Sequence, residues 1–289
     1  MMLLCASTLP PLEARILLAH ALGWRRTELI TRGDEWLDAR RVAQFHALEA
    51  RRTSGVPIAQ LTGTREFYGL EFEITPDVLI PRPETELLVE TALHVMRNIE
   101  KPRLLDLGTG SGAIAIAIAS ARPDARVWAT DCAREALALA ARNAARLLDA
   151  SRAGGALTFL RGDWYAPLDP ALRFDAIVSN PPYIAHDDPH LSTGDLRFEP
   201  RGALTDEADG LTALRAIAPA APRWLAPHGT LWMEHGYDQA ADVRAMLASS
   251  GFVHVISQRD LAGIERVTGG TLSVVPDGFC DCAHNDRLW

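Results

Sequence analysis

Leu104-Leu105-Asp106-Leu107-Gly108-Thr109-Gly110-Ser111-Gly112-Ala113 is an apolar run that enters a glycine-rich turn, and Ala113-Ile114-Ala115-Ile116-Ala117-Ile118-Ala119 follows it directly. The first part reads as a buried strand, the last as a buried helix. Glycines let the backbone turn tightly between them and let a ligand approach with no Cβ in the way. An acidic residue, Asp131, ends the next apolar run nineteen positions after Gly112. Its carboxylate can there accept hydrogen bonds from ribose hydroxyls beside the loop.

Outward from this turn, strand and helix patterns alternate. Strands are predicted at 103–107, 126–130, 157–160, 174–179, 230–234 and 252–257, with a last one near 271–275. Helices are predicted between them at 112–121, 133–148, 211–217 and 239–249, the third interrupted by Pro219, Pro222 and Pro227. Such alternation specifies an α/β, Rossmann-like fold, a parallel sheet with helices on both faces.

The first seventy or so residues have a different rhythm. Leu12, Ile16, Leu17, Ala19 and Leu22 recur at helical spacing until Gly23, and a second helical stretch runs over 38–52 and stops at Ser54-Gly55. The alternation in Glu66-Phe67-Tyr68-Gly69-Leu70-Glu71-Phe72-Glu73-Ile74 predicts a hairpin, which leads through Leu79-Ile80-Pro81-Arg82-Pro83-Glu84-Thr85-Glu86 into a helix over 87–96. The domains are therefore read as a small helical domain at 1–65, a β-hairpin linker at 66–86, the α/β domain at 87–276 and a tail at 277–289.

The 289 residues are 48% hydrophobic, enough for a large core. No apolar run reaches the length that crosses a bilayer, and residues 1–10 lack the basic region of a secretory signal. Cys5, Cys132, Cys280 and Cys282 are scattered and give no disulfide framework. A soluble cytoplasmic protein is expected. The formal charge is −8, and nine arginines balance nine acids up to Thr75, so the remainder carries the excess. A protein that grips nucleic acid by its phosphates shows a basic stripe. The arginine pairs at 25–26, 40–41 and 51–52 are each accompanied by acids and read as solvated helix faces.

By spacing alone, Gly108, Gly110 and Ala113 also fit the dinucleotide fingerprint. Asp106 argues otherwise, because a carboxylate just ahead of the loop can meet an ammonium group but opposes a pyrophosphate. A third strand end, Gly162-Asp163-Trp164, offers a carboxylate and an indole where an adenine would lie. Together these favour S-adenosylmethionine.

Asn180-Pro181-Pro182-Tyr183 closes the strand Phe174-Asp175-Ala176-Ile177-Val178-Ser179, at the end where open α/β sheets bind ligands. Prolines lack an N–H, so the turn presents mainly acceptors, the Asn180 side-chain oxygen and the Pro181 carbonyl, with the flat ring of Tyr183 beside them. Two converging acceptors match the two donors of a planar NH₂ group, as in an amide or a nucleobase amine.

Quoted in order, residues 79–86, Asp106 to Gly112, Asp131, Gly162-Asp163-Trp164 and Asn180 to Tyr183 resemble the HemK/PrmC family, glutamine methyltransferases of class I peptide chain release factors. The resemblance extends to Phe198-Glu199-Pro200, Gly229-Thr230-Leu231, Arg259-Asp260-Leu261-Ala262-Gly263 and Arg266, and so covers nearly the whole chain. It implies the class I S-adenosylmethionine-dependent methyltransferase sheet, with Gly108, Thr109, Gly110, Ser111, Gly112, Asp131, Trp164 and Asn180 on the cofactor. It implies that Asn180, Pro181, Pro182 and Tyr183 hold the substrate glutamine of a Gly-Gly-Gln loop, with Asn180, Pro181 and Tyr183 catalytic and no metal. The helical domain would hold the body of the release factor. Two departures stand out. The family's first helix is usually longer than residues 1–10 provide, and 277–289 have no counterpart.

A glutamine amide nitrogen is a poor nucleophile, because its lone pair is delocalised. Acceptors on both of its N–H groups hold it, encourage pyramidal geometry and favour the charge that develops on nitrogen. Rival expectations are a glutamine of a large-subunit ribosomal protein and an adenine-N6 nucleic-acid methyltransferase that flips its base into the same turn. Cys280-x-Cys282-x-His284 has spacing too close for a structural zinc site, and His186 and His190 read as exposed on a mobile loop. Arg82 and Glu86 either line the cleft or brace the next helix, and Glu199 either closes the site or anchors its loop.

Overall fold

The glycine turn lies at the centre of a seven-stranded sheet in a computed structural model of the protein, which describes residues 2–273. Its strands are β3 (Arg103–Leu107), β4 (Arg126–Asp131), β5 (Thr158–Arg161), β6 (Phe174–Ser179), β7 (Leu225–Glu234), β8 (Phe252–Arg259) and β9 (Glu265–Leu272), in the order β5-β4-β3-β6-β7-β9-β8. The chain runs outward from β3 to β5 and then returns to place β6 on the other side of β3. The strand order therefore reverses between β3 and β6, where the crevice of an open α/β sheet forms.

The sheet is mixed rather than wholly parallel. β9 pairs antiparallel with both β7 and β8, because β8 turns back through Asp260-Leu261-Ala262-Gly263. In that turn Asp260 Oδ1 accepts from the N–H groups of Ala262 and Ile264 at 2.9 and 3.0 Å, and Oδ2 accepts from Arg266 at 3.0 Å. This last strand begins at Glu265, earlier than the expected start near 271, and residues 274 and 275 lie outside the described residues. β7 also begins earlier than expected, at Leu225.

Side chains alternate between two layers, as a strand's period of two requires. Leu104, Ala176 and Val178 face α6 (Glu86–Val95) and α7 (Ala113–Ala121), while Leu105, Leu107 and Ile177 face α9 (Thr212–Ala220) and α10 (Ala240–Ser249). Residues 113 to 119 of α7 are all buried, which is why that run is apolar on every side. α8 (Arg134–Leu147) packs along α7. Pro219 sits in the last turn of α9, where its missing N–H forfeits a single intrahelical bond.

Ahead of the sheet lie α1 (Met2–Ala6), α2 (Pro11–Leu22), α3 (Glu28–Thr31), α4 (Ala39–Thr53) and α5 (Ile58–Thr62). α2 begins with proline in its first turn and ends where Gly23 adopts a left-handed conformation and its N–H bonds to His20. Asp38 caps α4 by accepting from the Arg41 N–H at 2.8 Å. Leu17, Leu18, Leu22, Phe45, Leu48 and Leu61 form a separate small core. Leu12, part of the same helical spacing, is exposed.

The hairpin of β1 (Thr64–Phe67) and β2 (Leu70–Glu73) inserts Phe67 and Phe72 into the core of the larger sheet, so it packs with the α/β layer rather than with the helices before it. No helix among the described residues is long and apolar enough to cross a membrane.

Candidate active site

A cavity of about 270 Å³ opens over the carboxyl ends of β3, β4, β5 and β6. Gly108 and Gly110 form part of its wall, both with positive φ (73° and 55°), and a Cβ on Gly110 would meet no atom within 4 Å. The loop is thus open towards a ligand at this point. Gly112 has another task. A Cβ there would come within 2.8 Å of Ile116 Cδ1 and 3.1 Å of Ala140 Cβ, so its glycine lets α7 and α8 close together.

Asp131 lines the cavity and also holds the loop. Its Oδ2 accepts from the Gly110 N–H at 2.8 Å and its Oδ1 from the Ala133 N–H at 2.9 Å. Burial raises its pKa, against the pull of those N–H donors. Trp164 also lines the cavity, beside Gly108, with φ of 45°, an uncommon conformation for a bulky residue.

Three carboxylates, Asp77, Asp131 and Asp163, border this cavity, and among the described residues no lysine or arginine does. A pyrophosphate would be repelled here, whereas a sulfonium carrying an ammonium group suits such a wall. The residues present therefore fit S-adenosylmethionine.

Other expected cofactor residues stand behind the wall. Thr109 is buried and donates its hydroxyl to Asp106 Oδ2 at 2.6 Å, and the Ser111 carbonyl accepts from Asn143 Nδ2 at 3.0 Å. Asp106 itself is fully buried under the start of α7 and absent from the cavity lining, so it shapes the loop instead of facing a ligand's ammonium group. Burial pushes its pKa up to about 7, against the pull of the Thr109 hydroxyl and the Ala115 N–H.

A second cavity of about 60 Å³ adjoins the first, and Leu79, Asn180 and Ala203 border both. The Asn180–Tyr183 turn is shared out between them. Pro182 faces the large cavity, Pro181 and Tyr183 face the small one, and Asn180 stands between. Asn180 Nδ2 donates to Thr85 Oγ1 at 3.1 Å. That bond occupies the donor end of the amide and leaves Oδ1 as the free acceptor.

Behind the small cavity, Tyr183 donates its hydroxyl to Glu234 Oε1 at 3.2 Å. Burial and the Glu234 carboxyl keep the phenol protonated, its pKa well above the ordinary value. Glu234 ends β7 and is 1% exposed. Burial drives its pKa up to about 7, while the Thr85 and Tyr183 hydroxyls hold it down. Neither Thr85 nor Glu234 was singled out by sequence reasoning. A carboxylate closing the apolar strand Leu231-Trp232-Met233 occupies the same sheet end as Asp131 and Asn180, and that position was the available signal.

Arg82 lines the small cavity and pairs with Glu199, whose Oε2 also accepts from the Ile80 N–H at 2.8 Å. Glu199 thus anchors the segment that supplies Pro200, Gly202 and Ala203 to the large cavity. Glu86 braces the hairpin instead, accepting from the Tyr68 N–H at 2.9 Å. His186 and His190 are exposed, as expected. Cys280, Cys282 and His284 lie outside the described residues.

Sequence comparison matches residues 3–63 to the PrmC N-terminal domain and residues 83–196 to the methyltransferase small domain. The chain is 67% identical over 270 residues to the release factor glutamine methyltransferase of Burkholderia pseudomallei, covering 93% of this chain and 95% of that one. It is 54% identical over 270 residues to the protein of the same name from Bordetella pertussis, covering 93% and 98%. A solved methyltransferase from Pyrococcus furiosus superposes with a TM-score of 0.50 at 17% identity, over 78% of this chain and 98% of that one, a likeness of fold alone.

Proposed function

From the premise that this chain belongs to the HemK/PrmC family of release factor glutamine methyltransferases, and is therefore a methyltransferase, we propose that it methylates the side-chain amide nitrogen of the glutamine in the Gly-Gly-Gln loop of class I peptide chain release factors. The observation that carries this reading is Asn180, standing between a cavity rimmed by carboxylates and a small cavity sized for a planar side chain, its donor end already tied to Thr85.

S-adenosylmethionine, when bound, supplies a methyl group on a positively charged sulfur. Gly108, Gly110, Asp131, Trp164 and Asn180 would hold it, with Thr109, Ser111 and Gly112 supporting the loop from behind. Asn180 Oδ1 and the Pro181 carbonyl accept from the two N–H groups of the substrate amide, so the nitrogen is held and its lone pair aimed at the large cavity. Tyr183 packs against the amide plane, and Pro182 separates it from the cofactor's chamber. The acceptors also stabilise the charge that builds on nitrogen.

Residues 1–65 serve in this reading as the recognition domain for the release factor body, 66–86 as the linker and 87–276 as the catalytic domain. Exposed Ile30 and Trp36 give the recognition domain an apolar contact surface. The site of action is the cytoplasm, where release factors work.

The test is transfer of a labelled methyl from S-adenosylmethionine to a purified release factor. Label is expected in the factor and lost when its loop glutamine is changed to alanine. Label appearing instead in a ribosomal protein or in adenine-containing DNA would overturn the reading.

A further inference from the structure

We propose that Glu234 is a positioning residue for methyl transfer, acting through Thr85 and Tyr183 to keep the Asn180 carbonyl oxygen turned towards the small cavity. This rests on the reading of Asn180–Tyr183 as the amide grip. Glu234 borders neither cavity, so it does not touch the reacting atoms. Its reach is indirect. Tyr183 donates to its Oε1 at 3.2 Å, and the Thr85 hydroxyl that accepts from Asn180 lies beside the same carboxyl.

The argument counts protons. A threonine hydroxyl has one proton and an oxygen that can accept. Because Thr85 Oγ1 accepts from Asn180 Nδ2, its own proton must go elsewhere, and the Glu234 carboxyl, whose pKa the Thr85 hydroxyl lowers, is the acceptor we assign to it. An ionised carboxylate accepts from Thr85 and Tyr183 together. A glutamine of the same shape offers one acceptor and one donor, so one of the two hydroxyls must reverse. If Thr85 reverses to accept from that glutamine, its freed proton turns to Asn180, whose amide then presents its oxygen to Thr85 and its NH₂ to the small cavity. There it faces the N–H groups of the substrate amide and repels them.

Burying a carboxyl at the end of an apolar strand is costly, and packing alone does not call for it. The charged groups around it are mixed. Glu84, from the turn ahead of α6, disfavours its ionisation, Arg266 from β9 favours it, and Arg82 acts on the Tyr183 phenol alongside. A protonated Glu234 resembles glutamine in having one acceptor oxygen and one donor. Turnover therefore has an acid limb that belongs to this carboxyl.

The experiment compares wild type, Glu234→Gln, Thr85→Ala, Thr85→Ser and the double variant Thr85→Ala/Glu234→Gln. Glu234→Gln is expected to lower kcat on a release factor by roughly 10- to 100-fold. Its Kd for S-adenosylmethionine stays within about twofold, and the acid limb of kcat disappears. Thr85→Ala falls alongside it, the double variant is no worse than either single, and Thr85→Ser retains most of the turnover that Thr85→Ala loses. A ¹⁵N spectrum gives a readout independent of turnover. The Asn180 side-chain NH₂ pair, identified by its loss in Asn180→Ala, shifts in Glu234→Gln and in Thr85→Ala. Wild-type kcat in Glu234→Gln, a loss that tracks cofactor affinity, or unmoved Asn180 signals would overturn the proposal. A wild-type protein that methylates no release factor would instead overturn the proposed function, and the spectrum would still decide whether Glu234 governs Asn180.

Discussion

Arg52, in the last turns of α4, donates from Nη1 to Asp195 Oδ1 at 2.9 Å while its Nε and Nη2 hold Glu13 at 2.7 and 2.9 Å. This three-residue link ties the amino-terminal helices to the segment that carries Glu199, Pro200 and Ala203. Gln60 Nε2 donates to the Phe198 carbonyl at 2.9 Å and Arg197 Nη2 to the Ser54 carbonyl at 2.8 Å, so the same seam is stitched at three points. The segment that borders the cofactor cavity is therefore held by the domain proposed to recognise the substrate protein.

Arg52→Ala should release that seam. Removing the cation leaves Glu13 and Asp195 unpaired at a partly buried place, a loss of about 2 kcal/mol. Limited proteolysis should cut within 189–203 faster than in wild type, and S-adenosylmethionine should bind several-fold more weakly by calorimetry. Equal cleavage rates would mean that the seam does not depend on Arg52.

Asn180→Ala should lower turnover by roughly 100- to 1,000-fold, the scale found when one preorganised polar group at a reacting centre is removed. Thermal unfolding should be little changed, because the residue borders two cavities instead of filling the core. Release factor methylated at the normal rate by this variant would refute the proposed grip.

Asp131→Ala should act on the cofactor and not on the chemistry. It removes a carboxylate from the cavity wall and also frees the Gly110 N–H it holds. A loss of about 10- to 100-fold in S-adenosylmethionine affinity is expected, matching the worth of a charged hydrogen bond. Isothermal calorimetry checks it, and unchanged affinity would count against the cofactor's placement.

Asp106 makes stability depend on pH. Its folded-state pKa, about 7, lies above its ordinary value of 3.8 because of burial, so the folded protein keeps a proton that the unfolded chain gives up. The stabilisation is complete below about pH 4 and is lost as pH rises towards 7, on the order of 4 kcal/mol across the window. Asp106→Asn removes the dependence. In the absence of cofactor, its Tm relative to wild type should be several degrees higher at pH 8 than at pH 5, and a constant difference would refute the assignment.

Trp36 is fully exposed and Ile30 is 84% exposed on the helical domain. Changing both to alanine should raise KM for the release factor by roughly tenfold while leaving cofactor affinity at wild-type level. An unaltered KM would place the docking surface elsewhere.

Much of this was legible along the chain. The apolar run into Gly108, the acid at 131 and the acceptor turn at 180–183 are local patterns, and each lies at the expected strand end. The arginine pairs were read as solvated faces, and only tertiary contact shows that Arg52 is drawn into the seam with Asp195. Nor does a strand pattern say which neighbour it will choose, so the insertion of β9 between β7 and β8 was not visible.

The sequence by itself determined the alternating layers, the glycine turn and the place of the two motifs at strand ends, because turn propensity and side-chain period act over a few residues. Only the tertiary structure decided that Asp106 and Thr109 turn inward, that Thr85 meets Asn180, and that Glu234 closes behind Tyr183. Those contacts join segments up to 95 residues apart, and burial and hydrogen-bond pairing between such segments exist only once the chain has packed.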